Sequence, residues 1–206
     1  MPRSSSQADD AMLLLASRSP RRRVLLEDAS IEFDVTDACV DDSQLSPTRV
    51  PPHHWAASLA YIKAESASRE LCDTHPECVV LGADTIVVKG DRIIGKPRDR
   101  EHARRIIDTL RDGEHRVITG VALLDRATRS RALVADATIV RVGQITDDSV
   151  ESYLDSDDWS GKAGAYNLME RVEDGWPIEW EGDPTTVMGL PMQRLVPMLR
   201  RLSTDS

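Results

Sequence analysis

Along the chain, short apolar runs alternate with stretches of helical period, the pattern of an α/β fold. The first run, 11–16 (AMLLLA), has the length of a buried strand and passes straight into SRSPRRRVLLEDA. That second piece has the form of a helix start. Ser19 suits the N-cap, Pro20 suits the first helical position, and Val24, Leu25 and Leu26 begin an apolar face. A strand entering a helix through a tight loop is a common phosphate-handling arrangement. A second strand is predicted near IEFDV (31–35), ahead of an acidic, turn-rich stretch at 36–52. Residues 53–72 then form a helix with Trp55, Leu59, Ile62 and Ser66 on one face and Lys63 at its edge. The valine-rich run CVVLGADTIVV (78–88) is expected as a fully buried central strand, interrupted at Gly82-Ala83-Asp84-Thr85.

Downstream, KGDRIIGKP (89–97) has the composition of a turn, a short strand and a loop, and Asp99 caps a helix over 100–111 that Gly113 ends. Ala103, Ile106, Ile107 and Leu110 recur along it at helical spacing. Two longer strands are predicted at 115–125 and 132–142, the second alternating between two faces, which makes the sheet mixed. A short helix with Val150, Tyr153 and Leu154 leads to a long irregular stretch at 156–189, of the kind that marks a functional loop. An amphipathic helix over 191–202 closes the pattern. The expected organisation is one α/β domain over 11–202 between polar tails at 1–10 and 203–206.

Composition narrows the function classes. Apolar residues at 40% and charged residues at 30% are those of a folded globular chain, and aromatics at 4% leave the packing to aliphatic side chains. A net charge of −9 argues against duplex nucleic acid as a partner, so an anionic ligand must meet a local basic cluster. Cys39, Cys72 and Cys78 are odd in number and lack CxxC spacing, which argues against a disulfide framework or a zinc site. No stretch approaches the ~20 apolar residues of a membrane span, and the N-terminus is polar; the expected location is the cytoplasm.

The cluster appears in Ser17-Arg18-Ser19-Pro20-Arg21-Arg22. Cations at a helix N-terminus oppose its dipole, so stability alone does not select Arg21, Arg22 and Arg23 there, whereas a bound phosphate reverses the sign. The alternative is a solvated face paired with carboxylates. Asp84, between two apolar runs, either pairs with a cation, binds a metal, does acid–base work or turns the chain. Asp41 and Asp42 offer further carboxylates to a divalent ion or are simply solvated. Lys63, Lys96 and Lys162 are ambiguous singly: Lys63 snorkels from a helix edge or meets a phosphate, Lys96 sits in a constrained loop, and Lys162 lies in a Gly/Ala-rich segment that permits close backbone approach. Together these residues form a set suited to phosphoryl or nucleotidyl chemistry with a divalent metal. The five histidines fall in loops or on helix exteriors and show no partner pattern.

Six ordered motifs, LASRSPRRRVLL, VVLGADTIVV, IIGKPRD, HRVITGVAL, KAGAY and VMGLP, resemble those of the Maf family of nucleotide pyrophosphatases over nearly the whole chain. The resemblance implies a mixed, bent sheet flanked by helices, in two lobes with a central nucleotide cleft, similar to inosine triphosphate pyrophosphatases. It implies hydrolysis of nucleoside triphosphates to monophosphate and pyrophosphate. By position, Asp84 is then the general base or metal-holding carboxylate, Asp41 helps to bind Mg²⁺ or Mn²⁺, and Ser17, Arg21, Arg22, Lys63, Thr85, Lys96 and Lys162 hold the triphosphate. A homodimer is compatible with it. Rival functions are a nucleotide-binding regulator of cell division without turnover and a nucleotidyltransferase. Gly161 stands where many members carry Asp, and Asn167-Leu168-Met169-Glu170 replaces the Gly-Ile-Gln-Gly of members that prefer thymidine and uridine triphosphates. A thioether at Met169 lacks the amide's donor and acceptor, which predicts a broader or shifted base preference. Trp176 and Trp180 either stack on a base or cover a core edge.

Overall fold

Strand β1 (Met12–Ala16) shows how the first lobe is built. Successive side chains of a strand point to opposite faces. Leu13 and Leu15 accordingly pack with Leu25 and Leu26 of helix α1 (Pro20–Asp28) and with Leu195 of helix α7 (Met192–Thr204), whereas Leu14 and Ala16 pack against Ala60, Ala64 and Ala67 of helix α2 (Pro52–Glu70). In this computed structural model the residues described are 12–38, 40, 45–47, 49–70 and 75–204.

One mixed sheet carries all the strands. Strand β2 (Asp34–Thr36) pairs parallel with β1, which pairs parallel with the long β3 (Cys78–Lys89). Antiparallel β5 (Gly113–Asp125), β6 (Arg131–Val142) and β7 (Ile178–Glu181) complete the order β2-β1-β3-β5-β6-β7. The short β4 (Arg92–Ile94) pairs with the C-terminal end of β3. β3 is continuous through Gly82–Thr85, contrary to the expected interruption, because β5 pairs with it without a break from Val79 to Val88. The break lies in its other neighbours: β1 covers β3 as far as Gly82 and β4 takes over only at Val87. Asp84 and Thr85 occupy the uncovered span.

Helix α2 buries Ala56, Leu59, Ala60, Ala64 and Ala67; of the expected stripe only Leu59 lies on that face, and Trp55, Ile62 and Ser66 are half-buried. The cause lies on the sheet. A Cβ at Gly82 would stand 2.3 Å from the Ala60 carbonyl oxygen, and one at Gly120 2.3 Å from the Ala56 carbonyl group. Two glycines on adjacent strands, facing alanines, thus let the helix lie against the sheet backbone.

A second apolar core gathers Val87 and Val117 with Ile106, Ile107 and Leu110 of helix α3 (Arg100–Leu110), Val150 and Leu154 of helix α4 (Asp147–Asp155), and Leu168 of helix α5 (Leu168–Glu173). Asp99 caps α3 by accepting from the His102 amide at 2.6 Å, as its sequence position predicts, although the helix ends at Leu110 and Gly113 opens β5 instead. The stretch 156–189 is not irregular. It contains a 3₁₀ turn at Ala163–Ala165, α5 capped by Asn167, β7, and helix α6 (Pro184–Met188) capped by Asp183. Elements of four to six residues are too short to show a period, which is why the stretch reads as irregular in the sequence.

Candidate active site

Between the two cores lies a cleft of about 1020 Å³. Its walls hold Ser17, Arg21, Arg22, Lys63, Asp84, Thr85, Lys96 and Lys162 together, eight of the residues singled out from the sequence. The ninth, Asp41, lies outside the described residues.

One wall is the β1–α1 connection. Ser19 occupies the N-cap position with Pro20 following it, but the Ser19 side chain makes no capping hydrogen bond. The amides of the first turn are therefore open to a ligand. Ser17, buried at the end of β1, accepts from the Ser19 amide at 3.2 Å and from Arg22 Nη1 at 2.9 Å. With its lone pairs engaged in this way, its proton remains to be donated. Arg22 also donates from Nε to the Gly189 carbonyl at 2.9 Å and from Nη2 to Thr85 Oγ1 at 3.4 Å. Burial pulls the Arg22 guanidinium down to about 10; Asp84 opposes that shift and Arg21 adds to it. Arg21 Nε is buried and has no hydrogen-bond partner among the described residues. An arginine that is desolvated beside a second one with an orphaned donor lowers the cost of admitting an anion.

The floor is Asp84, 9% exposed on β3, which accepts from Lys63 of α2. Lys63 reaches it because α2 lies so close over Gly82 and Gly120. On the opposite wall Lys162 donates to Glu170 at 2.8 Å, and Asn167 donates to the other Glu170 oxygen at 2.6 Å. Burial pushes the Glu170 carboxyl up, but Lys162, Asn167 and Arg21 outweigh it and hold it below its usual value. Lys96 is exposed at the rim. Arg18 pairs with Asp37 there through Nε at 2.8 Å, a bond that holds the Asp37 carboxyl below the usual range.

Several expectations change here. Glu170, not Met169, lines the cleft; Met169 packs against the second core, because a short helix pinned by Leu168 on its buried side turns the next residue inward. Trp176 is buried edge-on to Tyr153 at 5.3 Å and Trp180 packs on the same core, so neither faces the cleft. His115 is neither on a loop nor on a helix exterior. It is 2% exposed in β5, its Nε2 2.7 Å from the hydroxyl of Tyr166, a cleft residue. Burial, aided by Lys89, lowers it to about 4, so it is neutral. Its place in the alternation of β5 was the available signal: it shares a face with the buried Val117 and Thr119. Asp37 and Glu170 were the cleft carboxylates missed; both sit in charged stretches without local pattern.

Among the described residues no group of three or more His, Cys, Asp or Glu side chains is arranged to hold a metal ion, and no helix is long and apolar enough to cross a membrane.

A family model described as Maf-like protein matches residues 12–202. A dTTP/UTP pyrophosphatase of Ruminiclostridium cellulolyticum is 36% identical over 193 residues, covering 93% of this chain and 96% of the relative. A dTTP/UTP pyrophosphatase of Syntrophotalea carbinolica is 37% identical over 204 residues, 98% of this chain and 89% of the relative. Among solved structures, a nucleoside-triphosphatase / dITP/XTP pyrophosphatase from Mycobacterium abscessus covers 93% of this chain and 97% of its own at 16% identity, with a TM-score of 0.38. The family match runs from the first strand of the sheet into the last helix and takes in every described cleft residue, so the chain belongs to the Maf-like protein family.

Proposed function

We propose that the protein hydrolyses nucleoside triphosphates to the nucleoside monophosphate and pyrophosphate in this cleft. The observation that carries the proposal is the convergence of an uncapped helix N-terminus and the cations Arg21, Arg22, Lys63, Lys96 and Lys162 around one buried carboxylate, Asp84. The names of the relatives as dTTP/UTP pyrophosphatases support it. Arg21, Arg22 and the Ser17 hydroxyl hold the polyphosphate, with Lys96 and Lys162 closing over it. Asp84, oriented by Lys63, takes a proton from water as the water oxygen bonds to the α-phosphorus; the bridge to the β-phosphate breaks and pyrophosphate leaves with its charge spread over the cations.

A divalent ion suits the donors: Mg²⁺ or Mn²⁺ takes one or two carboxylates together with phosphate oxygens and waters, and Asp84 stands beside the cationic wall. Asp84 and, by resemblance, Asp41 would hold it. Bound there, such an ion neutralises charge on the leaving group. Cys78 is buried and free, which suits a reducing cytoplasm.

Base choice does not rest on Met169. With that side chain half-buried against the second core, Met169→Gln is expected to leave the ranking of thymidine, uridine, cytidine and guanosine triphosphates unchanged while lowering stability, measured as kcat/KM and melting temperature. A switch toward thymidine and uridine triphosphates would return Met169 to the base site.

The test of the proposal is to incubate purified protein with Mg²⁺ or Mn²⁺ and a panel of nucleoside triphosphates and to follow both products. Monophosphate and pyrophosphate in equal amounts are expected. Tight binding without turnover supports the regulator, a requirement for an acceptor supports the nucleotidyltransferase, and release of orthophosphate with diphosphate contradicts the site of attack.

A further inference from the structure

Thr119 lies in the middle of β5, fully buried, with Oγ1 2.6 Å from the main-chain carbonyl oxygen of Thr186 in α6 and 2.8 Å from Thr85 Oγ1. A hydroxyl owns one proton and a carbonyl has none to give. Two oxygens 2.6 Å apart in a buried site need a proton between them, so the Thr119 proton is committed to Thr186. Thr85 must then donate its own proton to Thr119. What Thr85 presents to Arg22 Nη2, 3.4 Å away, is a lone pair. Valence alone thus fixes the direction of the chain: Arg22 to Thr85 to Thr119 to the Thr186 carbonyl.

The contrast with Ser17 is informative. Both hydroxyls touch Arg22, but Ser17 accepts from both Arg22 and the Ser19 amide and keeps its proton for a ligand, whereas Thr85 has spent its proton inside the protein. The far end of the chain is anchored too. Thr138 of β6, also fully buried, donates to the Asp183 carbonyl at 2.6 Å, and the Asp183 carboxylate accepts from the Thr185 and Gln193 amides. The same turn offers the Gly189 carbonyl to Arg22 Nε. Gly189 has φ 112°, a left-handed conformation, and a Cβ there would come within 3.1 Å of Arg22 Nε, so the turn fits against the guanidinium.

We propose that Thr119 and Thr85 are positioning residues that aim the Arg22 guanidinium at the polyphosphate, and that Thr85 serves Arg22 rather than the substrate. The proposal rests on the reading above in which Arg22 holds phosphate. A guanidinium tied at Nε, Nη1 and Nη2 has little rotational freedom left; cutting the Thr85 link frees one edge of the fork and spends binding energy on re-ordering it.

The experiment is calorimetric titration of inorganic tripolyphosphate into the wild type, Thr119→Val, Thr119→Ser, Thr85→Val, Thr85→Ser, Arg22→Ala and the Thr119→Val/Arg22→Ala double variant. Both valine variants should raise Kd about 5- to 10-fold, the scale of losing one ordinary hydrogen bond. The serine variants should stay within about twofold of wild type, and adding Thr119→Val to Arg22→Ala should change Kd less than about twofold. A wild-type Kd in Thr85→Val, or an equal loss from Thr119→Val with and without Arg22, overturns the proposal. Because Thr119→Val strips a buried carbonyl of its donor and threatens folding, Thr85→Val, which leaves that bond in place, decides alone if the first variant does not fold. A different failure, Arg22→Ala binding tripolyphosphate as tightly as wild type, overturns the phosphate role of Arg22 itself.

Discussion

Replacing Asp84 with Asn conserves shape and removes one negative charge from a cleft in which the carboxylate faces Lys63 and lies in the field of Arg22. The pair is partly buried, with Asp84 and Lys63 side chains 13% and 21% exposed. Its loss therefore falls between that of a surface pair, ~0–1 kcal/mol, and that of a broken buried pair, ~3–5 kcal/mol; about 1–2 kcal/mol is expected. In a chain of this size that lowers the melting temperature by roughly 2–8 °C. Substrate binding moves the other way, because the polyphosphate supplies the negative charge that the variant lacks. KM should not rise, and a non-hydrolysable triphosphate should raise the melting temperature more in the variant than in the wild type. Turnover should fall by at least ~10²-fold, the scale of losing a general base. Pyrophosphate release against triphosphate concentration separates kcat from KM, and scanning calorimetry with and without the analogue gives the stability arm. Near wild-type kcat refutes the catalytic role, and so does a tenfold rise in KM at unchanged kcat, which would make Asp84 a binding residue.

Arg21→Ala should raise KM about 10- to 100-fold with the melting temperature shifted by less than about 3 °C, since it removes a dipole-opposing cation with an unsatisfied buried donor; unfolding of the variant would make the arginine structural. Gly120→Ala drives a methyl into the α2 backbone and should cost roughly 3 kcal/mol or more by urea denaturation, with turnover falling as Lys63 is displaced; a loss under about 1 kcal/mol refutes the close-approach argument. His115 titrates near 4 when folded against 6.5 in the free side chain, so below pH 6.5 the unfolded chain takes up a proton that the folded chain refuses. Its contribution is complete above 6.5 and declines toward pH 4, by up to roughly 3 kcal/mol. His115→Gln should flatten that part of the stability profile, and identical slopes for the two proteins between pH 7 and 4.5 would contradict it.

Local chemistry determined much of this protein. The short apolar run AMLLLA and the valine enrichment in 78–88 are properties of single strands, and Ser19-Pro20 and Asp99 mark helix starts because dihedral and capping preferences act within a few residues. Arg21, Arg22 and Asp84 stand out as candidates for chemistry because each sits where stability alone would not put a charge, and the fold brings the three into one cleft. Long-range contacts decided the rest. Whether β3 breaks at Asp84 depends on β5, more than thirty residues away in the sequence, and the true break belongs to β1 and β4. The buried face of α2 follows the glycines on β3 and β5, which draw in its alanines with Leu59 and leave Trp55 and Ile62 half-buried. Glu170 rather than Met169 faces the cleft because Leu168 is pinned in a core that includes strands and helices far from it in the sequence. The direction of the Thr85–Thr119 chain exists only once a carbonyl of α6 lies over β5. Periodicity and propensity act over one or two turns of chain, whereas partner, face and proton direction are set by which backbone groups meet across the sheet, and that requires the packed fold.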